Sequence, residues 1–255
     1  MLATAMTHGA EDADAVAKQL ANPIAALVSL PFQLNWDTGL AANGLGTKWL
    51  LNVQPVVPFE LDSRWNVISR TIVPLVQESD IVAGDAHESG LGDITQSFFF
   101  SPRDPLAGGW TIGAGPAILL PTATAAALGN GKLGLGPSIV ALRQTPSQWT
   151  YGVLWNHIWS IAGSSNRPAL STTYLQPFLS KGLGQGMTAT LDLESTYDWE
   201  GRNWVVPMNL TLSKVMKLGG QLCSVGGGAR YYLATPPGGA SWGLRLTFTL
   251  LYPSR

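Results

Sequence analysis

The sequence is short of charge. Only 12% of its 255 residues are Asp, Glu, Lys or Arg, against about 25% in an ordinary globular domain, so much of its surface is uncharged. The net charge is −1 and no run of Lys or Arg occurs. Phosphate neutralisation needs clustered cations, which excludes a nucleic-acid partner. Cys223 is alone, so an intrachain disulfide and a multi-cysteine metal site are impossible; a lone Cys reads as a small buried hydrophobe. Long apolar runs are missing too. The longest, PIAALVSLPF at 23–32, falls short of the roughly 18 to 20 residues of a membrane helix, so a helical membrane protein is excluded.

What is present is unlike a cytosolic enzyme: 29 Gly, 17 Pro and ten Trp, with a positive mean hydropathy. Ala3-Thr4-Ala5 has the A-x-A form that closes a signal peptide. Residues 11–20 place Ala13, Val16, Ala17 and Leu20 at helical spacing, with acidic residues first and Lys18 late, and stop before Pro23. Beyond this short helix, runs of about a dozen residues with period-two alternation are separated by Gly, Pro, Asn, Asp and Ser. Twelve are counted, at 27–38, 47–60, 65–77, 91–101, 109–121, 132–144, 149–161, 170–181, 186–199, 203–215, 220–233 and 241–252. They exceed the usual strand of five or six residues and match the 9 to 11 tilted residues that cross a bilayer. Connections at 39–46, 78–90, 122–131, 162–169 and 234–240 are long, whereas 61–64, 102–108, 145–148, 182–185 and 216–219 are short. Only the tight turn near 200–203 breaks that alternation. It predicts a meander with elaborate loops at one rim and tight turns at the other. No self-similarity of propeller period is visible.

The alternating faces predict which side is wet. In Trp242-Gly-Leu-Arg-Leu-Thr-Phe-Thr-Leu250, a band of Trp242, Leu244, Leu246, Phe248 and Leu250 opposes Gly243, Arg245, Thr247 and Thr249. The polar band is too small for a solvated exterior, where Lys and Glu would predominate. Leu30, Phe32, Leu34 and Trp36 likewise oppose Gln33, Asn35 and Asp37, and Leu191 and Leu193 oppose Asp192 and Glu194. Large side chains therefore face lipid and small polar ones face the lumen. Tryptophans fall at strand ends: Trp36, Trp49, Trp159, Trp199, Trp204 and Trp242 towards the long-loop rim, and Trp65, Trp110 and Trp149 towards the short-turn rim. Two interfacial aromatic girdles are predicted. A spanning sheet must close, because open edges would leave unpaired backbone groups in hydrocarbon, each costing several kcal/mol. The expected fold is all-β, a closed antiparallel up-and-down transmembrane barrel of about 12 strands. Residues 1–23 form an N-terminal segment with the short helix, and 24–255 form the barrel.

The segments LANPIAALVSLPFQLNWD, NVQPVVPF, WNVISRTIVPL, GLGDITQSFFFSP, GWTIGAGPAILLPTAT, WTYGVLWNHIWSIAG, TYLQPF and ESTYDWE, in that order, resemble bacterial proteins grouped as the MetA-pathway of phenol degradation family. The resemblance spans about 20 to 255. It implies an outer-membrane β-barrel transporter, sometimes encoded with aromatic-degradation genes, and it carries over no catalytic residue.

Inward-facing candidates are Asn52, Gln54, Arg70, Asp93, Thr95, Gln176, Asp192, Glu194, Asn209, Thr211, Arg230 and Arg245. Counting along strands puts Gln54, Arg70, Gln176 and Glu194 near mid-height and the arginines 230 and 245 nearer the long-loop rim. The set Gln54, Arg70, Asp93, Gln176, Asp192, Glu194, Arg230 and Arg245 then forms a lumen and selectivity lining, as charged rings do in pores. The same residues also suit a closed barrel filled by a self-satisfying Arg–carboxylate network. Twelve strands lie between filled barrels of about eight and open porins of 16 or more, so size does not decide. The N-terminal segment either plugs the lumen or lies in the periplasm.

Catalytic patterns are weak. His157 shares the outward face with Trp155 and Trp159, without a serine placed beside it by sequence, and reads as a rim or packing residue. Asp192 and Glu194 at i, i+2 align as a glycosidase pair would, yet three lumen arginines favour charge pairing. Gly129-Asn-Gly131-Lys-Leu-Gly134 matches G-x-G-x-x-G but precedes a strand instead of opening a helix. Asn209-Leu-Thr211 fits a glycosylation sequon at mid-strand, where it means nothing. The acidic loop Glu78 to Glu88, with Asp80, Asp85 and His87, is either a cation site or solvated charge, the second being the better reading. The expectation is a channel in the bacterial outer membrane for passive uptake of small solutes through a charged lumen, with aromatic compounds suggested by the family alone. Its partners are outer-membrane lipids and a small-molecule solute; no cofactor, metal or catalytic residue is expected. A non-conducting structural or assembly barrel is the alternative, and a soluble β-barrel binding protein the third reading.

Overall fold

The computed structural model describes residues 13–82 and 85–252; the A-x-A sequence at 3–5 lies outside them. Strand segments run in chain order as β1 (Val28–Leu40), β2 (Gly46–Val53), β3 (Val56–Glu60), β4 (Trp65–Val82), β5 (Asp85–Leu91), β6 (Ile94–Pro102) and β7 (Trp110–Leu120). They continue as β8 (Lys132–Gln144), β9 (Trp149–Gly163), β10 (Ser171–Gly184), β11 (Met187–Leu193), β12 (Ser195–Asp198), β13 (Asn203–Leu218), β14 (Gln221–Ala234) and β15 (Trp242–Tyr252). Three pairs, β2–β3, β5–β6 and β11–β12, are each one wall strand interrupted once, so the fifteen segments make a twelve-stranded wall. Every pairing is antiparallel, and β1 closes on β15 from Val28↔Tyr252 to Thr38↔Trp242. Closure leaves no edge unpaired, the condition for a sheet in hydrocarbon.

The interruptions have local causes. Pro55 carries no N–H for the ladder, yet Gln54 N still donates to Pro31 O and Thr71 N to Pro55 O, at 2.8 and 3.1 Å. Glu194 lies between β11 and β12 opposite the register shift at Val206/Pro207, and its N–H donates to Pro207 O at 3.0 Å. Such bulges re-aim side chains. The three breaks fall at Gln54, Asp93 and Glu194, all members of the predicted lining.

One connection departs from expectation. The predicted long loop at 78–90 is largely sheet: β4 runs on to Val82 and pairs with β5 from Leu75↔Leu91 to Ser79↔His87. Past the membrane, paired strands need no apolar alternation, so the polar, glycine-containing stretch resembled a loop.

Residues 13–20 are helical. Ala17 and Leu27 pack on the inward-facing Val215 and Leu251, joined by Ala13, Val16 and Leu20. Gly186 N donates to Asp14 Oδ1, and Gln144 Nε2 to Lys18 O, both at 2.6 Å. Ile24 reaches further in, seated among Ile68, Phe99, Val140, Leu142 and Leu154. The segment therefore lies inside the barrel at its short-turn end.

Candidate functional site

The exterior settles the wet-face question. Leu191 and Leu244 are 41% and 47% exposed, whereas Asp192 and Arg245 on the same strands are 6% and 4%. Exposed Leu75, Phe100, Ile112, Ile139, Leu179, Leu210 and Leu246 complete an apolar outer band, the surface a hydrocarbon layer requires. At the long-loop rim Trp36 packs between Trp49 and Trp242, with centroids 6.1 and 5.4 Å away. Tyr197 contacts both Trp199 and Trp204 at 4.8 Å. At the opposite rim Trp65 is exposed, Trp110 meets Tyr151 edge-on at 6.0 Å, and Lys181 Nζ lies 4.9 Å over the Trp149 ring.

Inside, β1, β14, β15 and the break between β11 and β12 bring a charged cluster together towards the long-loop rim. Arg230 donates through Nε to Asp37 Oδ1 at 3.0 Å, through Nη1 to Asn35 Oδ1 at 2.8 Å and Glu194 Oε2 at 3.4 Å, and through Nη2 to the Tyr232 hydroxyl at 3.2 Å. Arg245 donates through Nε to Asn35 Oδ1 at 2.8 Å and through Nη2 to Glu194 Oε2 at 2.6 Å. One carboxylate, Glu194, thus bridges two guanidinium groups that are otherwise buried. Backbone space is needed for this: a Cβ at Gly243, the cross-strand neighbour of Asp37, would collide with the Asp37 carboxylate.

Asp192 takes a neighbouring position, its Oδ2 accepting Asn209 Nδ2 at 2.9 Å and Gln176 Nε2 at 3.3 Å. Gln54 and Arg70 form a separate pair, Arg70 Nη2 donating to Gln54 Oε1 at 2.9 Å, with Gln54 Nε2 turned 3.5 Å from Gln33 Oε1. Seven of the eight predicted lining residues therefore face the lumen. The eighth, Asp93, does not join them: its carboxylate accepts Ala123 N at 3.2 Å and Asn130 N at 2.5 Å, pinning the loop before β8. At a break between strands, alternation no longer predicts direction. Asn35, Asp37 and Tyr232 complete the cluster; the first two were legible as polar residues of β1, whereas an inward Tyr232 gave no signal.

A second lumen wall was missed altogether. Ile68, Phe99, Val140, Leu142 and Leu154 face inward from β4, β6, β8 and β9 and pack with Tyr174 and Phe178. The expected uniformly polar lumen is thus half apolar.

Other candidate sites resolve simply. Glu78 pairs with Lys48 Nζ at 2.7 Å and His87 Nδ1 lies 2.9 Å from Ser79 Oγ; among the described residues no three potential metal ligands gather. His157 sits on the outer face beneath Trp159, ring centroids 4.1 Å apart. Its Nδ1 meets Thr173 Oγ1 at 2.7 Å and its Nε2 lies 3.4 Å from Ser171 Oγ. A hydroxyl, itself accepting Trp199 Nε1 at 2.9 Å, thus stands where a triad has the carboxylate that stabilises imidazolium.

No protein-family model matches the chain, and no curated protein matches it in sequence. Among solved structures it is similar to an outer membrane channel of Pseudomonas putida F1, with TM-score 0.66 and 15% identity over 89% of this chain and 94% of that one. It is also similar to the β domain of the Bordetella autotransporter BrkA, with TM-score 0.50 and 11% identity over 89% of this chain and 100% of that one. At these identities the likeness is one of fold. The architecture is that of the bacterial outer-membrane β-barrels.

Proposed function

We propose that this protein is an outer-membrane channel for the passive uptake of small solutes, gated at its short-turn end by residues 13–27. The observation that carries the reading is a sealed, lipid-facing barrel whose lumen holds ionic groups and an internal cavity of about 250 Å³, features that a purely structural wall does not need. The solved channel of Pseudomonas putida F1 supports it as a similar fold. The resemblance to the phenol-degradation family adds aromatic compounds to the solutes worth testing.

A second reading, a non-conducting barrel, is favoured by the internally satisfied Arg230–Glu194–Arg245 cluster together with the packing of the N-terminal segment on lumen residues at the short-turn end. Reconstitution into a planar bilayer separates the two. Conduction by the wild-type barrel, rising when Ile24→Asp unseats the segment and altered by Glu194→Ala or Arg70→Ala, is the expected outcome. Silence of all four proteins removes the channel reading in favour of the second.

A further inference from the structure

We propose that the cavity between the N-terminal segment and the lumen wall binds a small organic monoanion, a carboxylate carried on a short apolar body, with the Arg70 guanidinium as its anchor. The site stands on geometry; only its role as a station on a transport path rests on the channel reading.

The cavity of about 250 Å³ has Arg70 and Gln54 on its wall and a run of hydroxyls beyond them, among them Thr190, Thr211, Ser213 and Thr247. A void of roughly 150 Å³ holds a benzene molecule, so a five-carbon acid fits here with a few waters. Arg70 differs from the other two lumen arginines. Arg230 and Arg245 each lie within 4.0 Å of a carboxylate. Among the described residues Arg70 has no such partner, its one side-chain bond being to Gln54 Oε1. A guanidinium offers five N–H donors in a fork that matches a carboxylate, and most of Arg70's fork is uncommitted.

The surroundings select for charge and for size. Among the described residues no Asp or Glu lines the cavity, so none of them repels an anion at contact, and the one charged side chain that a cation meets among them is Arg70. The hydroxyls can donate to a carboxylate without adding charge of their own. The apolar part of the lining includes Leu20, Pro23, Ala25 and Val56, and Val56 is the cross-strand partner of Arg70. Head and body of one small molecule are therefore recognised side by side: the ionic contact on β4, the apolar contact on β3 and the N-terminal segment.

Titration calorimetry of the full chain, folded in detergent, tests this with three probes: 3-methylbutanoate, its neutral isostere 3-methylbutanamide, and acetate. The expected result is binding of 3-methylbutanoate, with the amide about tenfold weaker or more, the scale of one charged hydrogen bond, and acetate about tenfold weaker or more through loss of the apolar contact. Arg70→Gln should reduce 3-methylbutanoate to the level of the amide and leave the amide unchanged, while Arg70→Lys restores part of the affinity. Equal binding of acid and amide, acetate binding as well as the larger acid, unchanged affinity in Arg70→Gln, or no heat from the folded wild type overturns the proposal. If Arg70→Gln does not fold, the wild-type ratio of acid to amide decides alone. Anion binding by a barrel that carries no bilayer current would retire the channel and keep the site; current without anion binding would do the reverse.

Discussion

The two halves of the lumen wall solve the same problem differently. One half, built by β1 and β11 to β15, encloses Arg230, Arg245, Glu194, Asp37 and a field of Ser and Thr hydroxyls. The other, built by β4 and β6 to β9, encloses Ile68, Phe99, Val140, Leu142 and Leu154 around Ile24. The first is held by charged hydrogen bonds whose partners are specified one by one; the second is held as a soluble core is held, by apolar area and close packing. Both present the same apolar exterior to lipid. The barrel exterior therefore constrains one face of each strand only, and the interior face is free to be a site or a core.

The largest effect is expected where the polar half is broken. Arg230→Ala removes a donor to Asp37, Asn35, Glu194 and the Tyr232 hydroxyl at once. It should cost about 3 to 5 kcal/mol because buried groups are left uncompensated, measured as a lowered urea midpoint for loss of the heat-modifiable folded band. A matching cut in the apolar half, Leu142→Ala, should cost about 2 to 4 kcal/mol through lost transfer energy and a residual cavity. It should also loosen the N-terminal segment, read as faster proteolysis within 13–27. Equal insensitivity to both would mean that the wall strands alone determine stability.

A finer comparison stays inside the polar half. Thr190→Val, which loses the 2.9 Å contact with Ser180 Oγ, should cost about 1 kcal/mol or less, since the hydroxyl field can re-pair locally. The smallest effect lies outside both halves. In the turn before β4, Asp62 Oδ1 accepts Arg64 N at 2.7 Å and Trp65 N at 2.9 Å. The Arg64 amide first, then that of Trp65, hold its carboxyl below the ordinary range, with Arg64 and Arg103 nearby reinforcing them. A depressed folded pKa means the turn is supported above the unfolded value and loses that support as pH falls through the folded one. The protection of the Arg64 amide from exchange, relative to its intrinsic rate at each pH, should fall in acid, and Asp62→Asn should flatten that dependence.

Much of the wall was legible. The strand count, the closure, the outward band and the two aromatic girdles follow from alternation and from the placement of Trp at strand ends, because each strand must satisfy lipid on one face over its whole length. Asn35, Asp37, Asp192, Arg230 and Arg245 were readable as lumen residues for the same reason. The apolar half was not. In β6, Phe98, Phe99 and Phe100 are consecutive, and in β8, Ile139, Val140, Ala141 and Leu142 run together, so periodicity gives no contrast between faces. Asp93 was misdirected because it lies at a break, and 78–90 because a paired ladder beyond the membrane has the composition of a loop.

By itself, the sequence determined a membrane-spanning meander: backbone groups must be paired in hydrocarbon, and one face of every strand must be apolar there. Only the tertiary structure decided which charges meet. Glu194 bridges Arg230 and Arg245 because closure brings the β11–β12 break, β14 and β15 around one lumen, while Arg70, on β4, is left facing Gln54 and a cavity. It also decided where Ile24 goes, since an apolar pocket assembled from four separate strands exists in no local stretch of the chain.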